Sequence, residues 1–599
     1  MSNNILPKRD EIDNKFKWRL EDIYPTEDKW EEDYKAAKSL ISEIEGYRGK
    51  LSLGAHELLE ALDHYHETQR ILERLFVYAR MRKDEDNSNA KYQALSDRAQ
   101  LLLVEFASAS SYMVPEIIAI DEEVLKGWVK EDNKFDVYRQ FLDEILREKD
   151  HVLSPKEEQI LAMAGEVCDA PAQIFSMIND ADIKFPYIKN EEGDEVELTK
   201  GRYISFLESK DRQVRRDAFK ALYSTYSKQK NTLATTFVYN LKKDAFITRT
   251  RKYNSSLEAS LSGDNVGVEV YDNLINTVED NLEPMYRYID LRKRALDVDE
   301  LHMYDIYVPF VEKADMKVSY DEAKNIVANA LEPLGKEYIE VLKEGFESGW
   351  IDVYENVGKT SGAYSWGCYD AHPYVLMNYQ DNLDGVFTLA HEMGHAMHTY
   401  HSNKNQPYPL ASYRIFVAEV ASTLNEILLT HYLLDTIEDK ASRAYIINHY
   451  LEGFKGTVYR QTMFAEFERI VHNKTMEAIP LTCQDLCSIY YDLNKKYFGD
   501  NIVIDRDIEM EWARIPHFYS SFYVYKYAIG FSAASALAKA ILDKKEGAVE
   551  RYIEFLSSGG SDYPVNQLEK AGVDVSIPKP IDEALNVFSK LVDELDSLI

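Results

Sequence analysis

Leu383-Asp-Gly-Val-Phe-Thr-Leu-Ala-His391-Glu392-Met-Gly394-His395-Ala-Met-His-Thr-Tyr400 is apolar almost all the way round a helix, yet it carries two histidines and a glutamate close together. Spacing by four residues sets the His391 and His395 imidazoles side by side on one helix face. Two imidazoles and a carboxylate buried together are costly unless something compensates them. A zinc ion does so: the two ring nitrogens bind it, and Glu392, one residue round the helix, is placed to hold a water on the metal. Gly394 costs roughly 1 kcal/mol against Ala inside a helix, which points to a close approach by a neighbour.

The pattern needs a third ligand. Within Tyr413-Arg-Ile-Phe-Val-Ala-Glu419-Val-Ala-Ser-Thr-Leu-Asn-Glu426, a second apolar helix carries Glu419, 28 residues beyond His391. Three protein ligands with a fourth position open to water is the arrangement of catalytic zinc. The competing interpretation is two core histidines and a glutamate on a solvated face; the apolar run around Glu419 speaks against it. Water on such a metal has its pKa lowered to about 7, and Glu392 as general base takes its proton and passes it to a leaving amine. A donor to the tetrahedral oxyanion, worth roughly 2–4 kcal/mol, completes the chemistry. Its candidates lie in Arg514-Ile-Pro-His517-Phe-Tyr519-Ser-Ser-Phe-Tyr523-Val-Tyr525-Lys-Tyr527, where Tyr523 and Tyr527 are expected to share a helix face.

With 599 residues, 45% hydrophobic and 29% charged, the chain has the composition of a large folded protein. A formal charge of −33 argues against nucleic acid and against adhesion to an anionic membrane. Cys168, Cys368, Cys483 and Cys487 are too few and scattered for a disulfide framework. The first ten residues lack the apolar core of a signal peptide, and no run of about 18 apolar residues is evident. A cytoplasmic enzyme is the expectation.

Segment 1–182 reads as an all-helical lobe, with long helical patterns at 55–82 and 88–112, and carries no chemistry of its own. Ile183–Ile188 and Val196–Leu198, flanking Asn190-Glu-Glu-Gly-Asp194, predict a short hairpin. Arg212, Arg215 and Arg216 fall on one side of a helix over 201–250 and are expected to be solvated. A strand-like stretch follows at 302–311. Ser361–Ser365 and Tyr374–Tyr379 predict two short strands just before the His391 helix, the latter a candidate to pair with an extended peptide at the rim of the site. Helices are expected at 441–473, 482–497, 519–543 and 581–597. The chain from 183 to 599, with its core at 350–530, is expected to form one body with the first lobe.

These motifs resemble the oligoendopeptidase F branch of the thimet-oligopeptidase-like zinc metallopeptidases. The matching stretches are Ser361-Gly-Ala-Tyr-Ser-Trp-Gly-Cys-Tyr-Asp370, His372-Pro-Tyr-Val-Leu-Met-Asn-Tyr-Gln-Asp381, His391-Glu-Met-Gly-His395, Phe416-Val-Ala-Glu-Val-Ala-Ser-Thr423, Arg460-Gln-Thr-Met-Phe-Ala-Glu-Phe-Glu468 and Ile515-Pro-His-Phe-Tyr519. The resemblance implies a mainly α fold: a two-lobed helical ellipsoid with a deep substrate channel and a small β element beside the zinc helix. It implies one Zn2+ per chain on His391, His395 and Glu419, with Glu392 as base and the strand near 374–379 lining the cleft. It implies that His517 and a nearby tyrosine contact the tetrahedral intermediate; Tyr523 and Tyr525 are favoured over Tyr519 and Tyr527. The implied activity is an endopeptidase cutting internal bonds of short unstructured peptides, the alternatives being a zinc exopeptidase such as a carboxypeptidase, or a peptide-binding protein without chemistry.

Overall fold

The computed structural model describes residues 6–311 and 317–599, so part of the N-terminal stretch that bears on a signal peptide lies outside the described residues. The fold is mainly α. Its contacts divide it into two compact units that interleave along the sequence. The first comprises Met1–Asp150, Asp315–Tyr432 and Leu537–Gly572; the second comprises His151–Ala314, Leu433–Ala536 and Val573–Ile599.

The first unit is built on the helices Glu27–Ile44, Ala55–Glu85 and Ala90–Ser110. Apolar residues at helical spacing, Leu72, Leu75, Ala79 and Met81 among them, make the inner face buried. Trp30 is sealed in it and donates its indole N–H to Leu75 O at 3.0 Å. Asn89 caps the third helix by accepting the Lys91 N–H at 3.1 Å. Ala90–Ala119 contains a window of mean hydropathy 1.4, enough by composition to cross a bilayer and more apolar than the sequence reading allowed; about a third of it is buried inside this protein. A three-stranded sheet follows, in the order Ile351–Asp352, Tyr374–Leu376, Tyr364–Trp366. Asp352 is anchored by Lys359 Nζ at 2.7 Å and Arg9 Nη1 at 2.7 Å; burial alone would raise its pKa, and these cations hold it below the ordinary carboxylate value. Helix Leu383–Asn405 packs on this sheet and on the helices Tyr320–Ala330 and Ala548–Ser557, and helix Ile415–Thr436 also lies against it.

In the second unit the expected hairpin is present: Tyr187–Lys189 pairs antiparallel with Glu195–Glu197, and Gly193 (φ +85°) supplies the turn. The strand-like stretch at 302–311 reduces to Leu301–His302, paired parallel with Ile502–Val503. Beyond it Asp305 folds the chain into a 3-10 turn by accepting the His302 N–H at 3.0 Å. Asp305 is fully buried and also receives Arg215 Nη2 at 2.8 Å, so Arg215, 4% exposed, is not solvated as its sequence pattern suggested. The helices Lys440–Phe454 and Arg460–Met476 are joined by a π turn at Lys455–Tyr459 rather than broken. The helix expected from 519 starts only at Tyr525: Pro516–Tyr519 is a 3-10 turn, and Phe522 after it is left-handed (φ +59°).

Candidate metal centre

Helix Leu383–Asn405 starts at Asn382, whose side chain accepts the Gly385 N–H at 2.9 Å, and stops just short of Pro407. Helix Ile415–Thr436 lies against it at Gly394. A Cβ at that position would stand 2.6 Å from Ser422 Cα and 2.7 Å from Ala421 O, so only glycine permits this separation. Asn425 Nδ2 donates to Ala390 O at 3.0 Å and ties the two helices together in the core.

Three donor atoms converge across that contact. His391 Nε2 and His395 Nε2 are 3.2 Å apart, and Glu419 Oε2 is 3.6 Å from the first and 3.5 Å from the second. A point equidistant from three atoms so spaced lies about 2.0 Å from each, which is the ordinary Zn–N and Zn–O bond length. Two imidazole lone pairs facing each other at 3.2 Å also require a proton or a cation between them. Among the described residues this is the one group of three such side chains poised to hold a metal ion. Two nitrogens and one carboxylate oxygen form a donor set that suits zinc.

Glu426 joins this group, and the sequence reading gave it no role. Its Oε1 lies 2.5 Å from His391 Nδ1, which fixes the ring and leaves Nε2 for a metal. Burial alone would lower the His391 pKa, but the Glu426 carboxylate outweighs it and pushes the value up to about 9. Burial would likewise raise Glu419, and His395 with His391 instead pulls it down to about 2. Ser422 Oγ adds a hydrogen bond to Glu419 Oε2 at 3.1 Å. The only sequence signal for Glu426 is its place seven residues, two helical turns, after Glu419.

Glu392 is buried, with no protein hydrogen bond to its Oε2. Burial raises its pKa, and His391 and His395 partly offset that. A carboxyl so placed is free to take up and release a proton. Close by, a cavity of about 360 Å³ is lined by Gly362, Asn378, Tyr379, Gln380 and Thr388, the last one turn before His391. Tyr374–Leu376 is the central strand and is paired on both sides, so it has no free edge for an extended peptide; Tyr364–Trp366 is the edge strand beside it.

The second unit carries the remaining candidates. His517 is exposed, and burial of its ring, which is partial, lowers its pKa, so the imidazole is neutral at neutral pH. Its ring centroid lies 6.1 Å from Tyr523 and 6.1 Å from Tyr527, which are themselves 5.5 Å apart. Tyr523 lies two residues before the helix that holds Tyr527, just after left-handed Phe522 (φ +59°), so the two do not share a helix face, although their rings meet edge to face. Tyr525 is 1% exposed and packs its ring on Tyr271 at 5.1 Å, a core position. Tyr519 stacks on Phe175 at 4.4 Å.

Known peptidases resemble this chain along nearly its whole length. The model of peptidase family M3 matches residues 205–587, and that of oligopeptidase F matches residues 116–185. Oligopeptidase PepF of Bacillus subtilis (strain 168) is 50% identical over 596 residues, covering 100% of this chain and 89% of that protein. Group B oligopeptidase PepB of Streptococcus agalactiae serotype III (strain NEM316) is 41% identical, covering 100% and 99%. The crystal structure of oligoendopeptidase-F from Enterococcus faecium superposes with a TM-score of 0.76 at 40% identity, covering 96% of this chain and 99% of that one.

Proposed function

The chain belongs to peptidase family M3 and is a zinc metalloendopeptidase, and on that premise we propose that His391, His395 and Glu419 hold one zinc ion per chain with Glu392 as the general base. The observation that carries this reading is the convergence of three donor atoms at 3.2–3.6 Å beside a buried carboxyl with one unpaired oxygen. Zinc held there supplies Lewis-acid chemistry, polarising a carbonyl and acidifying water. The protein's own groups do the rest. Glu426 keeps the His391 ring oriented, and Glu392 moves the proton from water to the leaving amine. His517 and Tyr523 are proposed as donors to the oxyanion. For a tyrosine partner the half-exposed Tyr527 is better placed than Tyr525, whose ring sits in the core.

Short unstructured peptides are the proposed substrates, with the edge strand Tyr364–Trp366 offering main-chain hydrogen bonds that are indifferent to side chain. A cytoplasmic setting belongs to this reading, supported by four free cysteines. The division of the sequence at residue 182, between a helical N-terminal segment and the segment bearing the chemistry, is likewise proposed.

Peptides of about 5 to 30 residues, capped at both ends and mapped by mass spectrometry after digestion, test the function. Internal cuts, lost on chelation and restored by zinc, are expected; an exopeptidase would leave capped peptides intact. Glu392→Gln is expected to keep its zinc and lose turnover by at least about 100-fold, and near-normal turnover in that variant would sink the general-base role.

A further inference from the structure

Tyr523 stands at the end of a segment that the second unit ties down at several points. Phe518 O accepts from Asn240 Nδ2 at 3.4 Å, Ser521 O accepts from Ser260 Oγ at 2.9 Å, and Ser521 Oγ donates to Asp244 Oδ2 at 2.6 Å. Phe522 donates its backbone N–H to Glu468 Oε1 at 2.8 Å. Phe522 is in the left-handed region, which a bulky side chain avoids unless its surroundings over-determine it. Its ring is buried between His472, at 4.4 Å, and Tyr271, at 5.6 Å.

Glu468 itself is 1% exposed, and its Oε2 has no hydrogen-bond partner. A carboxyl in the core that neutralises no nearby cation is more costly than an apolar side chain of the same size. The single bond it makes is to the residue whose conformation sets where Tyr523 goes.

We propose that Glu468 is a positioning residue for the reaction: by accepting the Phe522 N–H it holds Phe522 in the left-handed conformation and so fixes the direction from which Tyr523 presents its hydroxyl. The proposal rests on the reading of Tyr523 as an oxyanion donor. Were Phe522 to relax into the right-handed region, the helix that now starts at Tyr525 could extend backwards through Tyr523 and swing its ring away from His517. Burial pushes the Glu468 pKa well above the ordinary glutamate value, and the Phe522 N–H partly offsets it.

The test uses the full-length, zinc-loaded protein and steady-state cleavage of one capped peptide. Tyr523→Phe is expected to lower kcat about 100-fold, the usual cost of one oxyanion donor. Glu468→Met, apolar and of similar size, is expected to lower kcat at least about tenfold with KM within about twofold and zinc content unchanged. Glu468→Gln keeps an acceptor oxygen and should stay within about threefold of the wild type. In the Glu468→Met/Tyr523→Phe double variant kcat should fall no further than in Tyr523→Phe alone, because the first change acts through the tyrosine. Should the methionine variant not fold, Glu468→Asp, which draws the carboxyl back by one methylene, takes its place. Wild-type kcat in Glu468→Met, or losses that multiply in the double variant, would overturn the proposal. Wild-type kcat in Tyr523→Phe would instead remove the tyrosine assignment on which it rests.

Discussion

His391 depends on a residue that no motif contains. Its Nδ1 faces Glu426, and a carboxylate there both fixes which ring nitrogen carries the proton and strengthens the other as a ligand. Glu426→Gln keeps the shape and removes the charge, so metal affinity is expected to fall about 10- to 100-fold in a competition titration with a chromophoric chelator. An unchanged affinity would show that Glu426 is not part of the centre. The juxtaposition of His391 and His395 was legible in the sequence because residues four apart on a helix must share a face, whatever the rest of the fold does; Glu419 was legible only as an acidic residue set in a second apolar helix. Glu426 was not, because one more acidic residue within an apolar helix does not announce which neighbour it faces. Tyr525 shows the reverse case: its place in a row of tyrosines favoured it, and burial against Tyr271 puts it in the core.

Between elements, the centre is a matter of spacing. The helices Leu383–Asn405 and Ile415–Thr436 touch backbone to side-chain position at Gly394, and that contact brings Glu419 to the two histidines. A methyl group at Gly394 would press on backbone atoms of the second helix, which cannot rotate aside. Gly394→Ala, which raises helix propensity, is nevertheless expected to destabilise the protein by about 1–3 kcal/mol and to weaken metal binding; a higher melting temperature with unchanged zinc affinity would contradict the packing argument. Gly394 was conspicuous in the sequence as a poor helix former, so the close approach could be read from it. Element ends were harder to read. The helix predicted from 519 starts at Tyr525 because Phe522 is left-handed, and nothing in a phenylalanine announces that conformation. The strand expected over 302–311 stops after His302 because Asp305 captures the backbone, helped by Arg212 and Arg215 from a distant segment.

At the scale of the whole molecule, each compact unit is assembled from three separate stretches of chain, a pattern set by contacts between residues far apart in sequence that periodicity does not encode. One property of the whole can still be derived from single residues. His66, His398, His401 and His472 are buried, and burial lowers their pKa values to about 4, 3, 4 and 4. Above the unfolded value of about 6.5 both states are neutral and these groups leave stability unchanged. As pH falls from there towards 4, the unfolded chain takes up protons that the folded protein refuses, so stability is lost. At pH 5 each such histidine costs about 2 kcal/mol. His66 packs flat on Tyr138 at 5.2 Å, a place a phenyl ring can fill. His66→Phe is therefore expected to melt near the wild type at pH 8 and above it at pH 5. Equal differences at the two pH values would contradict the assignment.

The most direct test of the centre is an equilibrium zinc titration of the metal-free protein, run side by side on the wild type and Glu419→Ala. One zinc per chain in the wild type, with affinity reduced at least about 100-fold in the variant, is the predicted result. A Glu419→Ala protein that still bound one zinc with wild-type affinity would contradict the His391, His395 and Glu419 centre from which the rest of the chemistry follows.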